Sequence, residues 1–142
     1  MKRLLSLILL LFIFITCTSQ LFVIVEPLNF QPGLTYVNNN IHGYVGVRIG
    51  HTNMEKAYTN YIKLRIGTSI IIDEDTNILV GINYNKLYNQ YNNNPTIDFT
   101  NIKPISFEIG LTGKIYKRLN VIFLTDFLNW ETDVGISYCL TK

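Results

Sequence analysis

Past an N-terminal leader, apolar and polar residues alternate with a period of two along most of the chain. In the segment 60–72 the even positions are mostly aliphatic, whereas the odd positions include Lys63, Arg65 and several small residues. The segments 105–115 and 132–140 repeat the pattern. Successive side chains of a β-strand point to opposite faces, so this alternation predicts strands that separate two unlike media. No segment past the leader has a convincing helical face, and we therefore expect an all-β protein.

Turn-forming residues divide the alternating segments into strands. Asn38-Asn39-Asn40 and the polar run 73–77 predict turns because Asn and Asp favour turn conformations. Lys117-Arg118 separates two further strands, and Pro32-Gly33 fits the centre of a type II turn. Longer polar connectors are expected over 51–59 and 89–103, with an intermediate one over 128–131. The resulting antiparallel strands are predicted at 21–30, 34–38, 41–50, 60–72, 77–88, 104–116, 119–127 and 132–140.

The first 20 residues follow the three-part plan of a secretory signal peptide. Lys2 and Arg3 precede an apolar run, which ends in a small, polar exit. The apolar run is shorter than the ~20 residues that a membrane-spanning helix needs. We therefore predict a signal peptide over 1–20, cleaved near Ser19 or Gln20, and a β-barrel domain over 21–142.

Cys17 leaves a second form of processing open. The sequence Phe14-Ile15-Thr16-Cys17 resembles a bacterial lipobox, in which the cysteine receives a lipid. Phe14 stands where that pattern prefers an aliphatic residue, and Thr16 where it prefers Gly, Ala or Ser. If cleavage instead falls after Cys17, Cys139 is the only remaining thiol and no intrachain disulfide forms.

Charge and composition exclude two classes of protein. The chain has 12 Lys and Arg against 10 Asp and Glu, and removal of Lys2 and Arg3 leaves ten against ten. A balance of zero argues against a nucleic-acid binder, because phosphate binding needs a basic surplus on one face. Intrinsic disorder is excluded by the apolar content of 48%.

Eight antiparallel strands can close into an up-and-down barrel, and three features favour a barrel that spans a membrane. Predicted connectors alternate between short and long, as in bacterial outer-membrane barrels. Aromatic residues near strand ends predict two girdles at headgroup level. Charged residues make up only 15% of the chain, fewer than a soluble surface usually has. The predicted girdle residues are Tyr36, Tyr61, Tyr88, Tyr116, Phe127, Trp130 and Tyr138.

The polar strand face predicts a lumen filled by charged side chains, with no open pore. Its members are Arg48, Lys63, Arg65, Glu108, Lys114 and Asp133. An unpaired charge in such a lumen costs several kcal/mol, so replacing Glu108 with Leu is expected to lower stability without creating conductance.

The C-terminal segment 133–140, Asp-Val-Gly-Ile-Ser-Tyr-Cys-Leu, alternates almost to the end of the chain, as a barrel-closing strand does. In this strand and in its overall pattern the chain resembles the small eight-stranded outer-membrane proteins, the class that contains OmpX and the OmpA transmembrane domain. It ends in Leu140-Thr141-Lys142, where that class has a terminal Phe or Trp. The resemblance implies a bacterial outer-membrane location, with the lipid bilayer as the partner.

No catalytic, cofactor or metal site is expected from the sequence. His42 and His51 are the only histidines, and neither is followed by the His-x-Ser pattern of a barrel lipid hydrolase. The expected function is therefore structural or surface interaction. A soluble or lipid-anchored periplasmic barrel that binds an apolar ligand in its core is the alternative.

Overall fold

The computed structural model describes residues 19–27, 31–54, 57–93 and 102–138. It has eight strands: β1 (Ser19–Glu26), β2 (Gln31–Asn38), β3 (Gly43–Met54), β4 (Ala57–Ile71), β5 (Thr76–Asn92), β6 (Ile105–Tyr116), β7 (Leu119–Asp126) and β8 (Glu131–Tyr138). Each strand pairs antiparallel with its neighbour, and β8 pairs with β1 to close the barrel. The predicted all-β, eight-stranded, up-and-down barrel is confirmed. Most of the predicted leader, including Cys17, lies outside the described residues, as does Cys139.

Strand alternation sorts the side chains of this barrel into an inner and an outer set. In β4 the cationic side chains of Lys63 and Arg65 are buried, whereas Leu64 and Ile66 are exposed. In β6, Glu108 is buried between the exposed Phe107 and Ile109. Among the described residues there is no helix long and apolar enough to cross a membrane.

Three turns form one end of the barrel, which we call the short-turn rim: residues 39–42, 72–75 and 117–118. All three were predicted. The amide N–H of Asn40 donates to Asn38 Oδ1 at 2.9 Å, and that of Asp75 donates to Asp73 Oδ1 at 2.9 Å. These side chains stabilise the turns by replacing backbone partners. Lys117 adopts a φ of 44°, which allows the two-residue reversal.

The other end, which we call the opposite rim, differs from the prediction. β3 continues to Met54 and β4 begins at Ala57, so only two residues connect them and the predicted connector over 51–59 is wrong. β5 likewise continues to Asn92. The pattern was missed because polar runs such as His51-Thr52-Asn53 and Asn89-Gln90 interrupt the alternation along the sequence. Of the connections at this rim, only 93–104 is long.

Pro32-Gly33 lies inside β2, not in the predicted type II turn. Pro32 pairs with Val25 of β1, and the pairing of β2 with β3 begins at Gly33. Proline has no N–H to donate, so it is tolerated near the start of a strand, where a ladder hydrogen bond is not required. The chain reversal falls instead between Glu26 and Gln31.

Candidate functional site

Seven charged side chains meet inside the barrel, in the half of the lumen nearer the opposite rim. We call them the lumen charge cluster: Arg48, Lys63, Arg65, Glu108, Asp126, Glu131 and Asp133. The cations stand on β3 and β4, and the carboxylates stand on β6, β7 and β8. The pairs that join β3 or β4 to β7 or β8 link strands three or four places apart, which face each other in an eight-stranded barrel. These ion pairs therefore cross the lumen, whereas the pair of Arg65 and Glu108 joins strands two places apart.

Arg48 has the largest fully buried side chain of the barrel. Its Nη2 lies 2.7 Å from Glu131 Oε2, and its Nη1 donates to Gln31 Oε1 at 2.7 Å. Nη2 also donates to the Tyr61 hydroxyl at 3.0 Å, and Nε lies 3.4 Å from Asp133 Oδ1. The planar guanidinium thus contacts two carboxylates, an amide and a phenol, a range of directions that suits its fixed fork of donors.

Lys63 bridges the ends of β7 and β8. Its Nζ lies 2.9 Å from Asp126 Oδ2 and also contacts Glu131. The same Asp126 oxygen accepts hydrogen bonds from Asn83 at 3.1 Å and from Ser106. The other oxygen of Asp126 accepts the backbone N–H groups of Leu128 and Asn129, each at 3.1 Å. This carboxylate therefore joins the lumen network to the turn that connects β7 and β8.

Arg65 lies deepest among the three cations. It pairs with Asp133, and its Nε lies 3.9 Å from Glu108 Oε2. The Tyr44 hydroxyl donates to Glu108 Oε1 at 2.9 Å. A Cβ added to Gly81 would come within 2.2 Å of that hydroxyl, so a residue without a side chain is required for the ring to cross the lumen.

The structure places Arg48, Lys63, Arg65, Glu108 and Asp133 together, as their shared strand face suggests. Lys114 instead lies at the short-turn rim, where its side chain is 42% exposed and its Nζ is 3.0 Å from Asp75 Oδ1. The reason is position: Lys114 has the same parity as Glu108, but it lies near the end of β6, beyond the enclosed part of the lumen.

Two members of the cluster, Asp126 and Glu131, were missed from the sequence. Both stand at strand ends beside the turn 127–130, where a carboxylate is usually solvated. The parity of β7, with Ile122, Leu124 and Asp126 on one face, offered a signal for Asp126. It was masked because Ile122 and Leu124, the two residues before Asp126 on that face, are apolar.

The predicted aromatic girdle is placed mostly on the outer surface. Tyr88, Tyr116, Phe127 and Tyr138 are each about half exposed or more, Trp130 is 85% exposed, and Tyr36 is half-buried on the outer face of β2. Tyr61 instead points inward and is 1% exposed, because it has the same parity as Lys63 and Arg65. Its hydroxyl contacts Glu131, so it belongs to the lumen and not to a girdle.

The half of the lumen nearer the short-turn rim is apolar. Phe22, Ile24, Val37, Leu79, Ile122 and Leu124 form one buried cluster, together with the ring of Tyr44. We call this set the lumen apolar cluster. It lies between the lumen charge cluster and the short-turn rim, and it fills the lumen on the short-turn side of Arg65.

The described residues contain no group of three or more His, Cys, Asp or Glu side chains able to hold a metal ion. His42 lies in the turn 39–42 at the short-turn rim, whereas His51 lies at the far end of β3 and contacts Asn60. The two histidines are therefore at opposite ends of the barrel and do not form a shared site.

Comparison with known proteins found no family model, no curated protein and no solved structure that matches this chain. The arrangement of the side chains is therefore the basis for any functional conclusion.

Proposed function

We propose that the protein is a small outer-membrane β-barrel of the bacterial cell envelope, with a structural or surface-interaction role and no catalytic site. The outer surface supports this most directly. Every strand exposes a large apolar side chain on it: Val23, Leu34, Val47, Leu64, Ile82, Ile109, Phe123 and Ile136, all between 40 and 59% exposed. Soluble monomers rarely expose a contiguous apolar surface of this extent.

The height of this apolar surface suits a bilayer. On β6 it runs from Ile105 to Ile115. At ~3.3 Å per residue and a strand tilt of ~40°, that length corresponds to about 25 Å of barrel height. The outward apolar band of outer-membrane barrels is ~25 Å tall. In this proposal the leader directs export, the bilayer is the partner of the outer surface, and the short-turn rim faces the periplasm.

The opposite distribution would favour the alternative, a soluble or lipid-anchored carrier with an apolar ligand in its core. Such a barrel turns its aliphatic face inward around a cavity and its charges toward water. Here the buried interior holds three cations and four carboxylates, and the exterior is aliphatic. The charges and the lumen apolar cluster fill the space that an apolar ligand would need, and we likewise expect no ion conductance.

A substitution in the centre of the outer surface tests the proposal. Replacing Ile109 with Arg is expected to lower the free energy of unfolding of the protein in lipid vesicles by about 2–4 kcal/mol, because the charge would lie at the bilayer midplane. Tyr138→Arg, near the short-turn rim, is the matched control, with an expected cost of about 0–1 kcal/mol. Urea titration of vesicle-bound protein measures both.

In a soluble barrel an exposed Arg at either position changes stability by only about 0.5 kcal/mol, so equal effects of the two substitutions would contradict the membrane assignment. Fractionation gives an independent check. The protein should stay in the membrane fraction until detergent is added and should shift its gel mobility on heating, whereas a carrier should be released by osmotic shock. Hydrolysis of envelope lipids that disappears on replacement of His42 or His51 would contradict the absence of catalysis.

A further inference from the structure

A cavity of about 360 Å³ opens at the short-turn rim, apart from the lumen charge cluster. Glu74 and Asp75 of the turn 72–75 line one side, and Lys117 and Arg118 of the turn 117–118 line another. Buried polar side chains of the strands, among them Asn77, Thr112 and Asn120, complete the wall. We call this space the rim cavity.

The rim cavity has a closed floor. Along β5 the next inward side chain after Asn77 is Leu79, and along β7 the next after Asn120 is Ile122. Both apolar side chains belong to the lumen apolar cluster. The cavity is therefore a blind pocket with a polar wall, and its volume is near the lower end of the range for small-molecule sites.

Charges of both signs remain without an ionic partner at this cavity. Lys114 is paired with Asp75 at 3.0 Å. In the described part of the chain no carboxylate lies within 4.0 Å of the Lys117 or Arg118 nitrogens, and no cation lies that close to Glu74.

The backbone N–H of Asp75 donates to Asp73 Oδ1 at 2.9 Å, which fixes the turn that carries Glu74 and holds the pKa of Asp73 below its usual value. A ligand that satisfies both walls needs a cationic donor for Glu74 and an anionic acceptor for Arg118. We propose that the rim cavity binds a small zwitterion with one ammonium and one carboxylate group, of the size of a free amino acid or a dipeptide.

In this arrangement the ligand carboxylate pairs with Arg118, and the ammonium group donates to Glu74, while the Lys117 ammonium lies 5.0 Å from the centre of the Tyr116 ring. Asn77, Thr112 and Asn120 hydrogen-bond to the atoms between the charges. An anion without an ammonium group would meet Glu74 and Asp75 at close range, which disfavours simple anions. The proposal does not depend on the medium that surrounds the outer surface, because the cavity lies within the rim.

The test uses the whole protein in detergent micelles and follows backbone amide NMR signals during titration with Ala-Ala. Shifts are expected at Asn77, Thr112 and Asn120, and not at the opposite rim. N-acetyl-Ala-Ala, which lacks the ammonium group, and Ala-Ala amide, which lacks the carboxylate, should each bind at least about tenfold more weakly, since each loses a charge-assisted hydrogen bond. Alanine should bind and tetra-alanine should not, because the cavity is blind and small.

Matched variants locate the two charge contacts. Arg118→Gln should remove the preference for Ala-Ala over its amide, and Glu74→Gln should remove the preference over the N-acetyl peptide. Lys86→Gln, an exposed substitution near the opposite rim, should change neither preference. All three replace exposed or half-exposed side chains, so folding is retained. Absence of shifts at 20 mM Ala-Ala, equal binding of the neutralised peptides, or binding of tetra-alanine would overturn the proposal. None of these outcomes affects the membrane assignment.

Discussion

The two halves of the lumen are filled in different ways. Nearer the opposite rim, ion pairs join β3 and β4 to β6, β7 and β8 across the barrel. Nearer the short-turn rim, the lumen apolar cluster fills the same cross-section with contacts that have no preferred direction. A charged residue in the first half has several partners of opposite charge, whereas an apolar residue in the second half contributes mainly its own volume. The two halves should therefore respond differently to single substitutions.

The balance of charge makes the first half the more sensitive one. The lumen charge cluster has three cations, Arg48, Lys63 and Arg65, and four carboxylates, a formal excess of one negative charge. Loss of one cation leaves two cations for four carboxylates, three of them buried and the fourth, Glu131, 18% exposed. Breaking a buried pair by removing one partner costs more than the net worth of the pair, because the remaining charge stays buried without compensation.

The largest effect is expected for Arg48→Leu. It removes the side chain that contacts Glu131 and Asp133 and should lower the free energy of unfolding by about 3–5 kcal/mol. Urea titration in lipid vesicles and the temperature of the heat-induced gel shift both measure this. Arg118→Leu at the short-turn rim is the control and should change stability by no more than about 0.5 kcal/mol. Equal stability of the Arg48 variant and the parent would mean that the ion pairs across the lumen are not formed.

A cavity in the apolar half should cost less. Leu79→Ala removes a fully buried side chain of the lumen apolar cluster, and we expect a loss of about 3 kcal/mol in the same titration. Combining it with Arg48→Leu should give an additive loss, since the two residues share no partner. A clear departure from additivity would show that the two halves act as one unit.

Removal of a carboxylate should have a smaller effect on stability. It should also show which half of the lumen blocks the passage of ions. Glu108→Leu leaves Arg65 paired with Asp133 and relieves the excess negative charge, so about 2 kcal/mol is expected, mainly from the lost Tyr44 hydrogen bond and the contact with Arg65. Conductance across planar bilayers should remain at the background level, because the apolar half is unchanged. Stability equal to that of the parent, or discrete channel openings, would contradict this account.

The smallest effect is expected at the short-turn rim. Lys114→Gln removes the ion pair with Asp75. The side chain of Lys114 is 42% exposed and that of Asp75 is 54% exposed. Exposed pairs contribute about 0–1 kcal/mol, and salt screens them. The variant and the parent should therefore become indistinguishable in 1 M NaCl, whereas the loss in Arg48→Leu should persist. A salt-insensitive loss at Lys114 would place this residue with the lumen charge cluster after all.

The parts of the barrel that could be predicted from the sequence are those that separate two media. The middle of β4, β6 and β8 alternates strictly, because one face is buried among polar groups and the other is aliphatic. The turns 39–42, 72–75 and 117–118 were predictable because their Asn, Asp and short polar residues define local geometry. Prediction failed at the ends of β3, β4 and β5, where polar runs such as His51-Thr52-Asn53 and Asn89-Gln90 interrupt the periodicity of the sequence.

The candidate site was only partly predictable, for a related reason. The face of a strand residue follows from its parity, which identified Arg48, Lys63, Arg65, Glu108 and Asp133 as one set. Its depth along the barrel and its partner do not follow from parity. Lys114 was assigned to the lumen although it lies at a rim, and Tyr61 was assigned to the outer girdle although its parity placed it inside.

The sequence by itself therefore determined the class of the fold, the number of strands and the two chemically unlike faces, since these depend on local periodicity and turn residues. Only the tertiary structure decided which residues meet across the lumen. It also decided that the interior divides into a charged half and an apolar half, and that unpaired acids and bases surround a cavity at the short-turn rim. These features depend on closure of the barrel and on strand register, which bring together residues that are 60 or 70 positions apart in the chain.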